Sequence, residues 1–173
     1  MPLNLELKAS VPSIQSARES AVRCGARFQG ILHQVDTYFN VARGRLKLRE
    51  IGDQGAELIY YERAETASER WSNYSRVAVP DPTVLKQQLA AALGILVVVR
   101  KKRELFLLER IRIHLDEVEG LGSFLEFEIP AVDAQEASRK MENVREWFGV
   151  EEGSIFTASY SDLIRGKSAG FGT

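Results

Sequence analysis

In four separate stretches of the chain charged and apolar side chains alternate residue by residue, and within each stretch the charges fall on one face. Arg45-Leu46-Lys47-Leu48-Arg49 is the clearest case. Glu6 and Lys8 alternate with Leu5 and Leu7; Arg110, Arg112, His114 and Asp116 with Ile111, Ile113 and Leu115; Glu126 and Glu128 with Leu125 and Phe127; Lys101 shares a face with Arg103. A period of two marks a half-buried β-strand. A chain patterned this way must press its apolar strand faces against other elements and turn the charged faces to water or into a lumen.

The remaining punctuation places the elements. Leu3 to Lys8 reads as a first strand, and Pro12 to Cys24 as a helix stopped by Gly25. Strands are expected around His33 to Tyr38, over Arg45 to Arg49, Leu58 to Arg63 and Trp71 to Val79, with a hairpin turn at Gly52 to Gly55 and a loop from Ala64 to Arg70. Asp81 and Pro82 open a helix carrying Leu85, Leu89 and Leu93 and ending at Gly94. Ile95 to Arg103, Leu105 to Leu108 and Glu109 to Asp116 read as successive strands with a turn at Arg103 and Glu104, followed by Phe124 to Ile129. Asp133 with Glu136 forms a capping box for a helix to Phe148, and a short helix near Ser159 to Ile164 ends the fold. About eight strands with short connections predict one α+β domain over residues 1–173 with a largely antiparallel sheet, either open or closed into a barrel.

Composition excludes several function classes. The 23 basic and 24 acidic residues give a net charge of −1, so there is no bulk basic field for a nucleic acid polymer. Cys24 is the lone cysteine, which rules out an internal disulfide and a cysteine zinc site and fits a reducing cytoplasm. The longest apolar run, Ile95 to Val99, is far short of the roughly 20 residues that span a bilayer, so no membrane partner is expected.

Solvent faces usually mix neutral polar residues with charges, whereas these faces are almost purely ionic. In a lumen, charges are tolerable only when they pair with each other or with bound ions. The candidate lumen set holds nine cations, Lys8, Arg45, Lys47, Arg49, Arg63, Arg76, Lys101, Arg103 and Arg112, and four carboxylates, Glu6, Asp116, Glu126 and Glu128. That cationic surplus calls for a polyanion, and the carboxylates call for a divalent metal that shares it, because Mg²⁺ typically takes one or two carboxylates plus phosphate oxygens.

Five segments follow one another in order: Asn4-Leu5-Glu6-Leu7-Lys8, Asp36-Thr37-Tyr38-Phe39, Arg45 to Arg49, Val99-Arg100-Lys101-Lys102-Arg103, and Leu115 to Gly122 running into Phe124-Leu125-Glu126-Phe127-Glu128. Together they resemble the CYTH family of triphosphate tunnel metalloenzymes, nearest in motif to class IV adenylyl cyclase-like proteins. The resemblance implies an eight-stranded antiparallel closed barrel with outer helices. It implies Mg²⁺ or Mn²⁺ on Glu6, Glu126, Glu128 and Asp116, phosphate oxygens gripped by Lys8, Lys47, Arg49, Lys101, Arg103 and Arg112, and catalysis by Lys8, Lys101, Arg103 and Asp116. Two positions depart from the family pattern: Asn4 stands for its first glutamate, and Tyr61 for a frequent lysine, with Arg63 on the same face.

Three functions follow. The first is conversion of ATP to cyclic AMP and pyrophosphate, supported by the cyclase-like glycine segment. The second is hydrolysis of inorganic or thiamine triphosphate, and the third, motivated by Asn4, is nucleotide or polyphosphate binding without turnover. A homodimer is compatible with all three. His33 and His114 lack a nearby nucleophile and read as structural, Trp71, Tyr60, Tyr61 and Tyr74 as packing residues, and Cys24 as core.

Overall fold

A computed structural model describes residues 3–63, 70–131 and 133–169. Eight antiparallel strands form a single strongly curled sheet: β1 (Leu3–Ser10), β2 (Arg27–Phe39), β3 (Arg45–Ile51), β4 (Ala56–Arg63), β5 (Arg70–Val79), β6 (Ile95–Leu108), β7 (Ile111–Val118) and β8 (Gly122–Ala131). Four helices complete an α+β fold: α1 (Ile14–Arg23), α2 (Pro82–Leu93), α3 (Ala134–Phe148) and α4 (Tyr160–Ala169). The strand order is β1-β5-β4-β3-β2-β6-β7-β8, and β8 pairs back to β1. Among the described residues, β1 is registered with β8 from Leu3 opposite Ala131 to Ser10 opposite Phe124, and with β5 from Leu3 opposite Asn73 to Glu6 opposite Arg70.

The alternation dictates which face goes where. Leu5, Leu7, Ile113, Leu115, Leu125 and Phe127 point outward into the main core, where α1 contributes Ile14, Ala17 and Ala21 and α3 contributes Ala137, Met141 and Val144. A second outer cluster packs Leu85, Leu89 and Ala90 of α2 against Phe39, Leu48 and Ala56. The charged faces of the same strands are thereby left to line the concave side. There one end is filled by a third cluster, in which Tyr160, Leu163 and Ile164 of α4 meet Tyr38, Ile59, Tyr61, Val99, Val118 and Phe124.

Helix boundaries follow local chemistry. Ser13 caps α1 through the Ser16 amide, Asp81 caps α2 through Val84, and Asp133 caps α3 through Gln135 and Glu136. Gly149 ends α3 in the left-handed conformation, φ 60°, which lets its amide and that of Val150 reach back to Glu146 and Arg145.

Two sequence expectations need correction. The strands read as Ile95 to Arg103 and Leu105 to Leu108 are one strand, β6, with no turn at Arg103 and Glu104. Arg103 points inward to Asp116, while Glu104 points outward and takes a paired bond from Arg18 of α1 at 2.6 and 2.9 Å, so each charge has a partner and the ladder continues. The chain turns instead at Glu109 and Arg110, where Glu109 adopts φ 52°. The terminal helix also runs beyond Ile164; of the loop expected from Ala64 to Arg70, Arg70 begins β5 and 64–69 lie outside the described residues. Among the described residues no helix is long and apolar enough to cross a membrane.

Candidate functional site

The concave face encloses a cavity of about 300 Å³. Of the described residues, seven cations line it, Lys8, Lys47, Arg49, Arg76, Lys101, Arg103 and Arg112, together with five carboxylates, Glu6, Asp36, Glu57, Glu126 and Glu128. Strand register explains the convergence, because inward positions of neighbouring strands fall opposite or diagonal to each other. Glu6 stands directly opposite Glu128 and Lys8 opposite Glu126. Asp36 stands opposite Arg49, Arg103 opposite Asp116, and His114 opposite Glu126.

Three ion networks make this ionic interior tolerable. In the first, Asp36, 2 % exposed, accepts bonds from Arg49 Nε and Nη2, both at 2.7 Å, and from Lys47 Nζ at 2.9 Å. Burial alone would raise this carboxyl, but the Arg49 and Lys47 charges outweigh it and hold it well below the ordinary range. In the second, Arg103 grips both oxygens of Asp116 at 2.6 Å, and the Tyr160 hydroxyl donates to the same carboxylate at 2.8 Å. Despite complete burial, Arg103 and Lys101 bring Asp116 down to about 2.

The third network runs along β1, β7 and β8. Glu126 meets Lys8 at 3.0 Å, His114 Nδ1 at 3.2 Å and Arg103 at 3.5 Å. Glu128 takes paired bonds from Arg112 at 2.8 and 2.9 Å and the Asn4 amide at 2.6 Å. Burial and the Arg103 charge lower the His114 imidazole below its usual value, although Glu126 pulls the other way. Neutral His114 is the consistent state near pH 7.

The structure thus brings together Glu6, Lys8, Lys47, Arg49, Arg76, Lys101, Arg103, Arg112, Glu126 and Glu128 of the expected set. Arg45 stands apart from the cavity wall: it bonds Ser159, Ser161 and Asp162 at 2.6, 3.2 and 2.9 Å and fastens the start of α4. Asp116 lies beneath the wall, where its oxygens accept from Arg103 and Tyr160. Arg63 ends β4, and its side chain lies outside the described residues. Asp36, Glu57 and His114 also line the site, outside the expected set of ligands and binding residues, so the wall is less cationic than the strand faces alone imply. The alternation Gln34, Asp36, Tyr38 on one strand face was the available signal for Asp36.

The donor set bears on a metal. Glu6, Glu126 and Glu128 are hard oxygen donors on two adjacent strands, the type that suits Mg²⁺ or Mn²⁺. Among the described residues, however, no group of three or more His, Cys, Asp or Glu side chains converges in ligating geometry. The oxygens of Glu126 and Glu128 are instead shared out among Lys8, His114, Arg112 and Asn4.

A comparison with protein families matches the CYTH domain over residues 3–160. No curated protein matches the chain. Among solved structures, the chain is similar to the PH1012 protein of Pyrococcus horikoshii at 24% identity and a TM-score of 0.86, covering 92% of this chain and 98% of that one. A candidate adenylate cyclase of Vibrio parahaemolyticus is similar at 19% identity and a TM-score of 0.77, with 94% and 98% covered. A candidate adenylyl cyclase of Hippeastrum with a dominant triphosphatase activity is similar at 15% identity and a TM-score of 0.71, with 96% of each chain covered. At these identities the likeness is one of fold.

Proposed function

The chain belongs to the CYTH domain family, and from that premise we propose that its cavity takes a triphosphate-bearing small molecule and acts on it as an enzyme of the class IV adenylyl cyclase type, converting ATP to cyclic AMP and pyrophosphate. The observation that carries this reading is the convergence of seven basic side chains from seven positions of the sheet on one cavity. The same cavity has an apolar share, Leu32, Ile51, Ile59 and Tyr74, against which a nucleoside can pack.

In this reading Lys8, Lys47, Arg49, Arg103 and Arg112 bind the phosphate oxygens, with Arg76 beside Glu57 adding a more exposed cation. Arginine forks suit phosphate because they donate paired, charge-assisted bonds. Lys47, Arg49 and Arg103 are already fixed by Asp36 and Asp116, so little of their side-chain motion is frozen when the substrate arrives. Glu6, Glu126 and Glu128 would hold a divalent cation once Lys8 and Arg112 turn from carboxylate to phosphate. That ion would neutralise phosphate charge and help align the triphosphate.

A second reading, hydrolysis of inorganic or thiamine triphosphate, uses the same wall. It is favoured by the dominant triphosphatase activity of the Hippeastrum protein, whose fold this chain shares. Incubation with ATP, inorganic triphosphate and thiamine triphosphate, each with Mg²⁺ or Mn²⁺, separates the two. Cyclic AMP with pyrophosphate supports the first and orthophosphate the second; binding without product leaves a non-catalytic binder and overturns both. A Glu126→Gln, Glu128→Gln double variant should lose metal-dependent turnover, and full retention would exclude these carboxylates as metal holders.

A further inference from the structure

Gln34 lies on β2 between Leu32 and Asp36, lines the cavity with both, and is 4 % exposed. Its Oε1 accepts no hydrogen bond from any described residue. Among the described residues the other buried side-chain polar atom left without a partner is Arg145 Nε, on α3 and away from the cavity. Buried acceptors are almost always paired, because leaving one unpaired is costly. One that faces a cavity therefore points to a donor on the molecule the cavity takes.

The neighbours of Gln34 define that donor. Ile51 stands directly opposite on β3 and Leu32 precedes it on the same face of β2; both line the cavity, so the acceptor sits in an apolar part of the wall that suits a flat ring. An amide oxygen has no charge with which to offset the desolvation of a cation, so the group it suits is a neutral N–H or O–H. Asp36, at the next inward position, holds Lys47 and Arg49. Successive inward positions of a strand lie about 7 Å apart, so a ring at Gln34 and a phosphate at Arg49 can belong to one small molecule. A glutamine amide presents an acceptor and a donor side by side, and it pairs in this two-point way with an exocyclic amine next to a ring nitrogen.

We propose that Gln34 is a specificity-determining residue: its amide reads a ring edge carrying an exocyclic amine beside a ring nitrogen, so the cavity selects a triphosphate attached to an amino-substituted heterocycle. Adenine and the aminopyrimidine of thiamine share that edge, and inorganic triphosphate lacks it. The proposal rests on the triphosphate reading above and names what that reading leaves open, the part of the substrate beyond the phosphates. Gln34 takes no part in the bond-making step. Its contribution is to affinity, and only for ligands that bear the amine.

Competition calorimetry without added divalent metal, so that turnover does not intervene, tests this with four ligands: ATP, purine riboside triphosphate (ATP without the amine), thiamine triphosphate and inorganic triphosphate. If the ring is adenine, the wild type should prefer ATP to purine riboside triphosphate by about 5- to 150-fold, the range of a good two-point amide pair. Gln34→Met, similar in length but without the amide, should bring that ratio close to one. If the ring is an aminopyrimidine, Gln34→Met should weaken thiamine triphosphate by a similar factor. In either case its affinity for inorganic triphosphate should match that of the wild type. Inorganic triphosphate bound normally, with no discrimination of ATP by the wild type and no loss of thiamine triphosphate in the variant, overturns the proposal and leaves the triphosphate reading intact. Equal losses for ATP and purine riboside triphosphate would assign Gln34 to the sugar, and equal losses for all four ligands would make it a support of the wall; each overturns it. Failure of the wild type to bind any of the four overturns the triphosphate reading and the proposal with it.

Discussion

Asp36 holds two of the wall's cations, Lys47 and Arg49, which makes Asp36→Asn a quantitative probe of how the interior is built. The substitution keeps size and shape but removes the charge facing Lys47 Nζ at 2.9 Å and Arg49 at 2.7 Å. Lys47, Arg49 and Asp36 are all largely buried, so the two cations are left facing each other with little water to replace the lost anion. Breaking a buried pair from one side typically costs about 3–5 kcal/mol, well above the 0–1 kcal/mol typical of an exposed pair. For a chain of this size that corresponds to a Tm lower by about 6–20 °C. Urea unfolding should show a reduced midpoint with an unchanged slope. Tripolyphosphate should then stabilise the variant more than the wild type, because the ligand supplies the missing anion. A loss below about 1 kcal/mol, with equal ligand shifts in both proteins, would refute the reasoning that buried charge pairing sets the wall.

Other outcomes follow from the same interactions. Arg45→Ala should loosen α4, because Arg45 holds Ser159, Ser161 and Asp162; hydrogen exchange over α4 should accelerate while global stability falls by only about 1 kcal/mol for a half-exposed pair. Stability should also decline with acid in two stages. His114 is depressed in the folded state, so its contribution is complete above about 6.5 and is lost as pH falls through the lower folded value. Asp36, Glu126 and Asp116, the last brought to about 2, contribute above the usual carboxylate range and lose that contribution as pH falls from about 4 through their folded values. A urea midpoint that rises between pH 7 and pH 3 would contradict both assignments.

Much of this arrangement was legible because strand faces are a local property. The alternation of Arg45 to Arg49, Glu6 with Lys8 and Glu126 with Glu128 states which side chains share a face, and the outer leucines state which face is packed. What alternation cannot state is which charge on one strand meets which on the next, since register is set by pairing between distant segments. Glu104 shows the cost: β6 runs straight through the expected turn, and the outward charge of Glu104 is met by Arg18 of α1, 86 residues away in sequence. Asp36 and His114 gain their meaning in the same way, each from an opposing strand. Arg45 errs the other way, sharing the charged face but lying at the end that α4 covers.

The central claim is that the concave cationic wall binds a polyanion, and direct titration with tripolyphosphate by calorimetry tests it most closely. The account predicts saturable binding near one equivalent that weakens as salt rises, with at least about a tenfold loss in an Arg49→Ala, Arg112→Ala double variant whose circular dichroism is unchanged. Absence of binding by the folded wild type, or equal affinity in the double variant, would contradict it.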